Sequence, residues 1–526
     1  MVCCTYCESK GLPCSLVTRP RPRVSSSAAT KRSSRGEATA AQAAVCTTAR
    51  VCSQSCSPVE VSPLPPRDVC EDLVDVYFST LHDTQGALFH RPSFMRAFEE
   101  NTVPDIILLS ISAFVARFSN HSYFDGVDRW DRGHTWGRAA RNMLNIQTME
   151  ISIVTLQVCH LLSSLSIADG DPATEALCSG IANRVVQLLG LPHRLSQDPL
   201  QREIELRVWW SIYMMDVWIA TGRGFPRTFH LDLSWPWPME EAAFEQLGPD
   251  AAVDLIELDN DHILRKTSMW GQMIPLAALK AQIQDLNDSA RYAGDTMDEG
   301  FLESVADLSS KLDQWVVDLP PSLHDTDANL AQIAERGMGH VFVALHFGYH
   351  YFAILLYYRF LHDSLTPNMS AQRLVYAQRC KFHATAITRL LWTGTHEHRC
   401  NCVWLLISHL LVISSSVHLH TLLLDTDPDL IAQARILLER NFIMLTNLME
   451  VWPWLAHTMA RLKSFHDACL RAPNAEDAFQ MDDWMNTFLH QHSHVLPSDQ
   501  RAYRNQLVEL DHWEHAVLQT ERFIDA

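Results

Sequence analysis

Three cysteines near the start of the chain, Cys4, Cys7 and Cys14, stand in a C-x2-C-x6-C spacing, and Arg19, Arg21 and Arg23 follow at once in an Arg-Pro-Arg-Pro-Arg run. Thiolates so spaced are metal-ligand chemistry. Nothing resembling a signal peptide precedes them, and close-set cysteines beside basic residues in a reducing compartment point to metal rather than disulfides. A structural zinc needs four ligands, so this triad is one short unless Cys3 joins it. The arginines that follow suit phosphate oxygens.

Other constellations carry less. In "HEHRCNC", His396, His398, Cys400 and Cys402 alternate, which suits a chelating extended loop but would scatter the ligands around a helix. His346 and His350 share a helix face at i,i+4 among Phe347, Tyr349 and Tyr351, where packing in an aromatic core outweighs ligation. "HQHSH" (490–494) reads as a solvated segment before Pro497. An all-α enzyme such as a terpene cyclase is the rival of a different class. However, "MDDWM" (481–485) offers Asp482 and Asp483 without a third aspartate to hold magnesium and diphosphate, and "NDSARYAGD" (287–295) lacks the serine of a second metal motif. No Walker loop, G-x-G-x-x-G, H-E-x-x-H or G-x-S-x-G occurs, so no catalytic set is predicted.

The elements that must position these groups are helical. Glycine is scarce, 19 in 526 residues, and apolar residues recur at helical spacing, which predicts an all-α protein. Net charge is −19, yet residues 1–70 hold nine Lys or Arg against four acids and eight of the 14 cysteines, so a basic head precedes an acidic body. That balance excludes a nucleic-acid binder working through its whole surface. Residues 15–67, rich in Ser, Pro, Ala and Arg, predict a disordered linker without heptads; a homodimer is allowed but not specified. From Asp68 the pattern changes. Leu73, Val76, Tyr77 and Leu81 form one helix face, and helical candidates continue at 103–118, 134–146, 151–168, 173–190, 200–221, 262–286, 298–317, 329–363, 370–393, 401–424, 428–452 and 454–470. Residues 403–424 lack Lys, Arg, Asp and Glu and are long enough to span a bilayer. Three histidines and three consecutive serines there favour a buried helix instead, so no membrane is expected.

Four segments in order resemble the fungal-specific transcription factor regulatory domain, which follows a Zn2Cys6 zinc cluster in fungal regulators: "LFHRPSF" (88–94), "SIVTLQVCHLLSSL" (152–165), "IANRVVQLLGLPHR" (181–194) and "EIELRVWWSIYMMDVWIATGRGFP" (203–226). The resemblance is best over 72–240 and implies a regulatory domain at 68–526. It also implies that Cys4, Cys7 and Cys14 (residues 1–14) are the second half of a six-thiolate zinc cluster. Cys46, Cys52 and Cys56, spaced C-x5-C-x3-C, do not fit the missing first half. Implied with it are zinc as cofactor, DNA phosphate contacts from Arg19, Arg21 and Arg23, DNA and the transcriptional machinery as partners, and a nuclear location. A regulator or corepressor without autonomous DNA binding is the runner-up. Read as residues, Trp209 and Trp210 belong to a core stripe with Leu206, Tyr213, Met214 and Val217, Glu203 and Arg207 pair at i,i+4 on another face, and Pro92 stops a helix in a loop anchored by Phe89 and Phe94. Cys159 and Cys178 read as small core residues.

Overall fold

Asp-Pro opens three of the long helices. The aspartate accepts a backbone N–H of the first turn, and the proline stands where no N–H is needed. Asp171 starts Pro172–Leu189 (α6), Asp198 starts Pro199–Arg223 (α7) and Asp427 starts Pro428–Met449 (α16). The first two end on glycines in the left-handed region, Gly190 (φ 75°) and Gly224 (φ 66°), a conformation that costs glycine nothing and other residues a good deal. Turn signals legible in the sequence, "DGDP" and "GLPHR", thus sit where the chain turns.

The computed structural model describes residues 64–490, apart from 85, 146–148, 231, 233, 249–264, 293–298, 364–369, 453–454, 472–478, 480 and 482. The protein is all-α: among the described residues no strand forms, and His82 and Gly86 make an isolated bridge. The remaining helices, in chain order, are α1 (Arg67–Thr80), α2 (Arg91–Glu99), α3 (Asp105–Val115), α4 (His134–Met143), α5 (Ile153–Ala168), α8 (Glu241–Glu245), α9 (Met269–Tyr292), α10 (Glu299–Asp318), α11 (Asp327–Glu335), α12 (Gly339–Tyr357), α13 (Phe360–Asp363), α14 (Ala371–Trp392), α15 (Ile407–Leu424), α17 (Leu455–Arg471) and α18 (Asp483–His490). Helices close in sequence pair most extensively: α5 with α6, α12 with α14, α15 with α16, and α3 with α4. α9 against α12 joins the earlier helices to the later ones. One continuous apolar cluster runs through them, and Leu200, Met239, Phe244 and Leu247 form a satellite.

Among the described residues two helices, α12 and α15, are long and apolar enough to cross a membrane, but 89% and 83% of their apolar windows are buried inside the protein. α15 is the segment whose serines and histidines argued against lipid. Each of those polar groups has a partner on a neighbouring helix or in its own backbone. His418 Nε2 lies 3.0 Å from Thr388 Oγ1, Ser416 Oγ accepts from Tyr358 at 2.9 Å and Ser415 Oγ from Asn441 at 3.0 Å.

The structure corrects three expectations. Pro92 does not stop a helix; it lies in the first turn of α2, capped by His90, whose Nδ1 accepts from Ser93 N at 3.4 Å. The predicted helix 329–363 is broken at Gly337 (φ 80°) into α11 and α12, because a left-handed residue cannot continue a right-handed helix. His490 is not solvated: it ends α18, buried, 3.3 Å from Asn287. Helix α2, the short α8 and α18 were not predicted at all, being too short to display a helical period.

Candidate functional site

Cys4, Cys7, Cys14, Arg19, Arg21 and Arg23 lie outside the described residues, as do Cys46, Cys52 and Cys56. Among the described residues no group of three or more His, Cys, Asp or Glu side chains could hold a metal ion. "HEHRCNC" shows why. His396 stacks on Trp392 (centroids 3.9 Å) within a π-helical turn, Thr393–Glu397, while Cys400 and Cys402 hydrogen-bond to each other. His346 and His350 do sit in an aromatic core beside Phe342, Trp315 and Tyr349. They also reach polar partners that the spacing did not reveal. His346 Nε2 meets Leu323 O at 2.8 Å, and His350 bridges His383 (2.8 Å) and Asp325 (3.2 Å), a carboxylate also held by Arg389 at 2.7 Å.

The four motif segments converge. Gln157, from the second, donates to Leu88 O of the first at 2.7 Å, and Ser211, from the fourth, accepts Ala87 N at 3.1 Å. Asp216 of the fourth accepts Asn183 of the third at 2.8 Å and Thr228 N at 2.7 Å, which fastens the chain after α7. Trp209 and Trp210 are buried, as a core stripe requires, and Trp210 Nε1 donates to Pro236 O at 3.0 Å. The face carrying Glu203 and Arg207 is buried as well. The two pair at 3.1 Å; Arg207 also donates to Met239 O (2.6 Å) and Glu203 accepts Met239 N (2.8 Å). This helix therefore holds the segment 225–247 from two faces, by indole packing on one and an ion pair on the other.

Among the described residues, two concavities stand out. The larger, about 690 Å³, is the more polar of the two and touches Arg91, Arg207, Glu240 and Glu241. Its buried charges are answered from within: Glu241 accepts from Ser268 Oγ, Met269 N and Trp270 N. The smaller, about 160 Å³, is apolar and lies where α5, α6, α7, α9, α12 and the entry to α15 meet. Met214, Trp218, Trp270, Phe347 and Trp404 wall it, and Glu175 on α6 reaches it from the side. Glu175 is fully buried; Arg223 stands 3.4 Å from its Oε2, and its Oε1 has no protein partner. Burial pushes this carboxyl up to about 7, with Arg223 drawing it down. Trp270 Nε1 is likewise buried without a partner. An apolar space bordered by an unmet acceptor and an unmet donor is a binding geometry rather than a packing one. Nothing in the spacing of Glu175 within "DPATEALCSG" marks it; the signal is only an acid on the apolar face of a helix.

The family model of the fungal specific transcription factor domain matches residues 74–316. Over those residues, less than half of its length, the chain is similar to that domain. Similar proteins include the Zn(2)-C6 fungal-type transcription factor FTF1c of Fusarium oxysporum f. sp. lycopersici, 24% identical over 285 residues, covering 47% of this chain and 30% of that protein. FTF1a of the same organism is 28% identical over 193 residues, 34% of this chain and 18% of that protein. An uncharacterized transcriptional regulatory protein of Schizosaccharomyces pombe is 23% identical over 336 residues, 57% of this chain and 33% of that protein. The chain thus spans about a third or less of the length of these relatives. No solved structure matches it. The matched domain contains all four motif segments and ends at α10. The cavity is therefore walled on one side by the domain, through α5, α6, α7 and α9, and on the other by α12 and the entry to α15, which lie beyond the match.

Proposed function

We propose that this chain is a nuclear, non-enzymatic regulator of transcription in which the helical body carries the regulatory activity and the basic head meets DNA. The observation that supports this reading is the family match over residues 74–316 together with the interlocking of its four motif segments. Arg19, Arg21 and Arg23 neutralise phosphates, a contact that positions a protein on DNA without selecting a sequence. Cys4, Cys7 and Cys14 are three of the six thiolates that a two-zinc cluster takes, and no described residue supplies the others. That donor set does not fit a complete cluster, so no base-reading step is assigned to it. The second reading is a regulator that acts through other proteins on the promoter.

The full chain, fused to a heterologous sequence-specific DNA-binding module, is expected to change reporter transcription several-fold over the module alone. An unchanged reporter with the fusion present in the nucleus overturns the regulatory reading. Two further measurements separate the alternatives. Autonomous binding through the arm gives a log–log salt slope near −2.7 for three neutralised phosphates, at about −0.9 for each, and replacing all three arginines by glutamine flattens it. If the chain carries bound zinc and prefers one DNA sequence at physiological salt, the head is functional and the second reading fails.

A further inference from the structure

We propose that the cavity beside Glu175 is a binding site for a small aromatic molecule bearing an N–H or O–H donor, of the chemical class of a phenol or an indole. Size sets the first limit. At about 160 Å³ the space is close to the ~150 Å³ cavity that admits benzene and well under the roughly 300 Å³ at which sites for larger ligands begin. One or two fused rings fit; a nucleotide or a sterol does not.

The walls set the second limit. Trp218, Trp270, Phe347 and Trp404 supply aromatic lining that suits a ring, while Met214 and Met273 are unbranched and adjust to the outline of a guest. The polar border sets the third. Glu175 Oε1 calls for a donor when the carboxyl is ionised, and Trp270 Nε1 calls for an acceptor, both in a place where an unmet polar atom is costly. The guanidinium that pairs with Glu175, Arg223, is already on its Oε2, so an anionic ligand would find that charge taken and a carboxylate beside it. The description that remains is an uncharged ring with a donor. Gly348, in the middle of α12, is consistent with reserved space: a Cβ built there meets nothing closer than Phe352 Cε2 at 3.8 Å.

The test uses the full chain and three probes, phenol, indole and toluene, titrated calorimetrically at pH 8. Phenol and indole are expected to bind saturably at one site, with toluene, which has the ring but no donor, on the order of ten-fold weaker, as loss of one charge-assisted hydrogen bond requires. Glu175→Gln should bring phenol and toluene to within about three-fold of each other while leaving toluene unchanged. Gly348→Leu should abolish binding of all three with helix content and denaturation midpoint retained; Gly348→Ala serves if the leucine variant does not fold. Absence of saturable binding by any probe means the cavity takes water only, and the proposal falls. Equal affinity for phenol and toluene overturns the donor assignment, and wild-type binding by a folded Gly348→Leu variant overturns the location.

Discussion

The stretch from α5 to α8 and the stretch from α12 to α16 bury comparable kinds of helix, yet they satisfy buried polarity in opposite ways. The earlier stretch uses charges that meet charges. Glu203 faces Arg207, Glu175 faces Arg223, and Arg117 on the turn after α3 reaches Asp169 at 2.8 Å. The Glu203–Arg207 pair and Asp216 also hold a connecting segment. The later stretch uses neutral groups that meet across helices: Tyr351 OH with His409 at 3.0 Å, His418 with Thr388, Tyr358 with Ser416, and Asn441 with Ser415. Arg389 with Asp325 and Asp327, and Lys381 with Asp425 at 3.0 Å, are charged exceptions at the rim. A buried ion pair stabilises modestly as a whole but costs much when halved, whereas a neutral network is sensitive to whatever protonates it. The two stretches should therefore fail under different insults.

The largest effect belongs to the charged stretch. Arg207→Met leaves Glu203 buried with only Met239 N and the distant Arg265 (3.9 Å) to answer it, and removal of one partner of such a pair costs about 3–5 kcal/mol. Urea denaturation reads the loss, and limited proteolysis should cut first between residues 225 and 247. The double variant Glu203→Gln with Arg207→Met should recover much of it. If the single variant is neutral, the pair does not hold that segment. Trp209→Ala or Trp210→Ala, each emptying a fully buried indole site, should cost about 3–5 kcal/mol by a route unrelated to charge. No loss in either variant would remove these rings from the core.

Acid should expose the neutral stretch. Burial holds His346 and His420 down to about 4, and His418 and His490 down to about 3. Unfolding returns each to a pKa near 6.5, so their contribution is present above that value and is lost as pH falls toward the folded values. Between pH 7.5 and 5.5 the four together cost about 5 kcal/mol, and Glu175, whose carboxyl is raised and therefore favours the folded state as pH falls, returns about 2 kcal/mol. A net drop in denaturation midpoint over this window is expected. Glutamine in place of His418 and His420 should reduce it; an unchanged midpoint would mean these rings are protonated or hydrated in the folded chain.

How much of this was legible in sequence follows from the same contrast. The all-α architecture and most of the long helices were, because apolar periodicity and turn residues act locally. The core role of Trp209 and Trp210 was legible for the same reason. What the long-range contacts decide was not. Gln157 reaching Leu88, Asp216 holding Asn183 and His490 turning inward depend on partners dozens of residues away or more. Pro92 was misread because a proline that ends one helix and a proline that begins one look alike until the capping His90 is seen. Glu175 gave no sign, since a cavity belongs to six elements at once and to no motif. The cysteine and arginine head was legible as chemistry, and its residues lie outside the described part.

The smallest effect is the one that should not distinguish the two stretches. Asp198 accepts Gln201 N at 2.6 Å at the start of α7, and Asp427 accepts Asp429 N at 2.9 Å at the start of α16. Both are exposed caps followed by proline, satisfying one orphan backbone donor each, and neither touches the buried network beneath its helix. Asp198→Ala and Asp427→Ala should therefore each cost about 1 kcal/mol, while asparagine at either position, which keeps the acceptor and loses the charge, should cost less. Equal losses would show that helix starts are local matters in both halves and that the contrast lies in the core alone. A markedly larger loss for Asp198→Ala would mean that the charged stretch extends its dependence on carboxylates to the helix ends, and the division between charged and neutral regions would then describe the whole stretch instead of its interior.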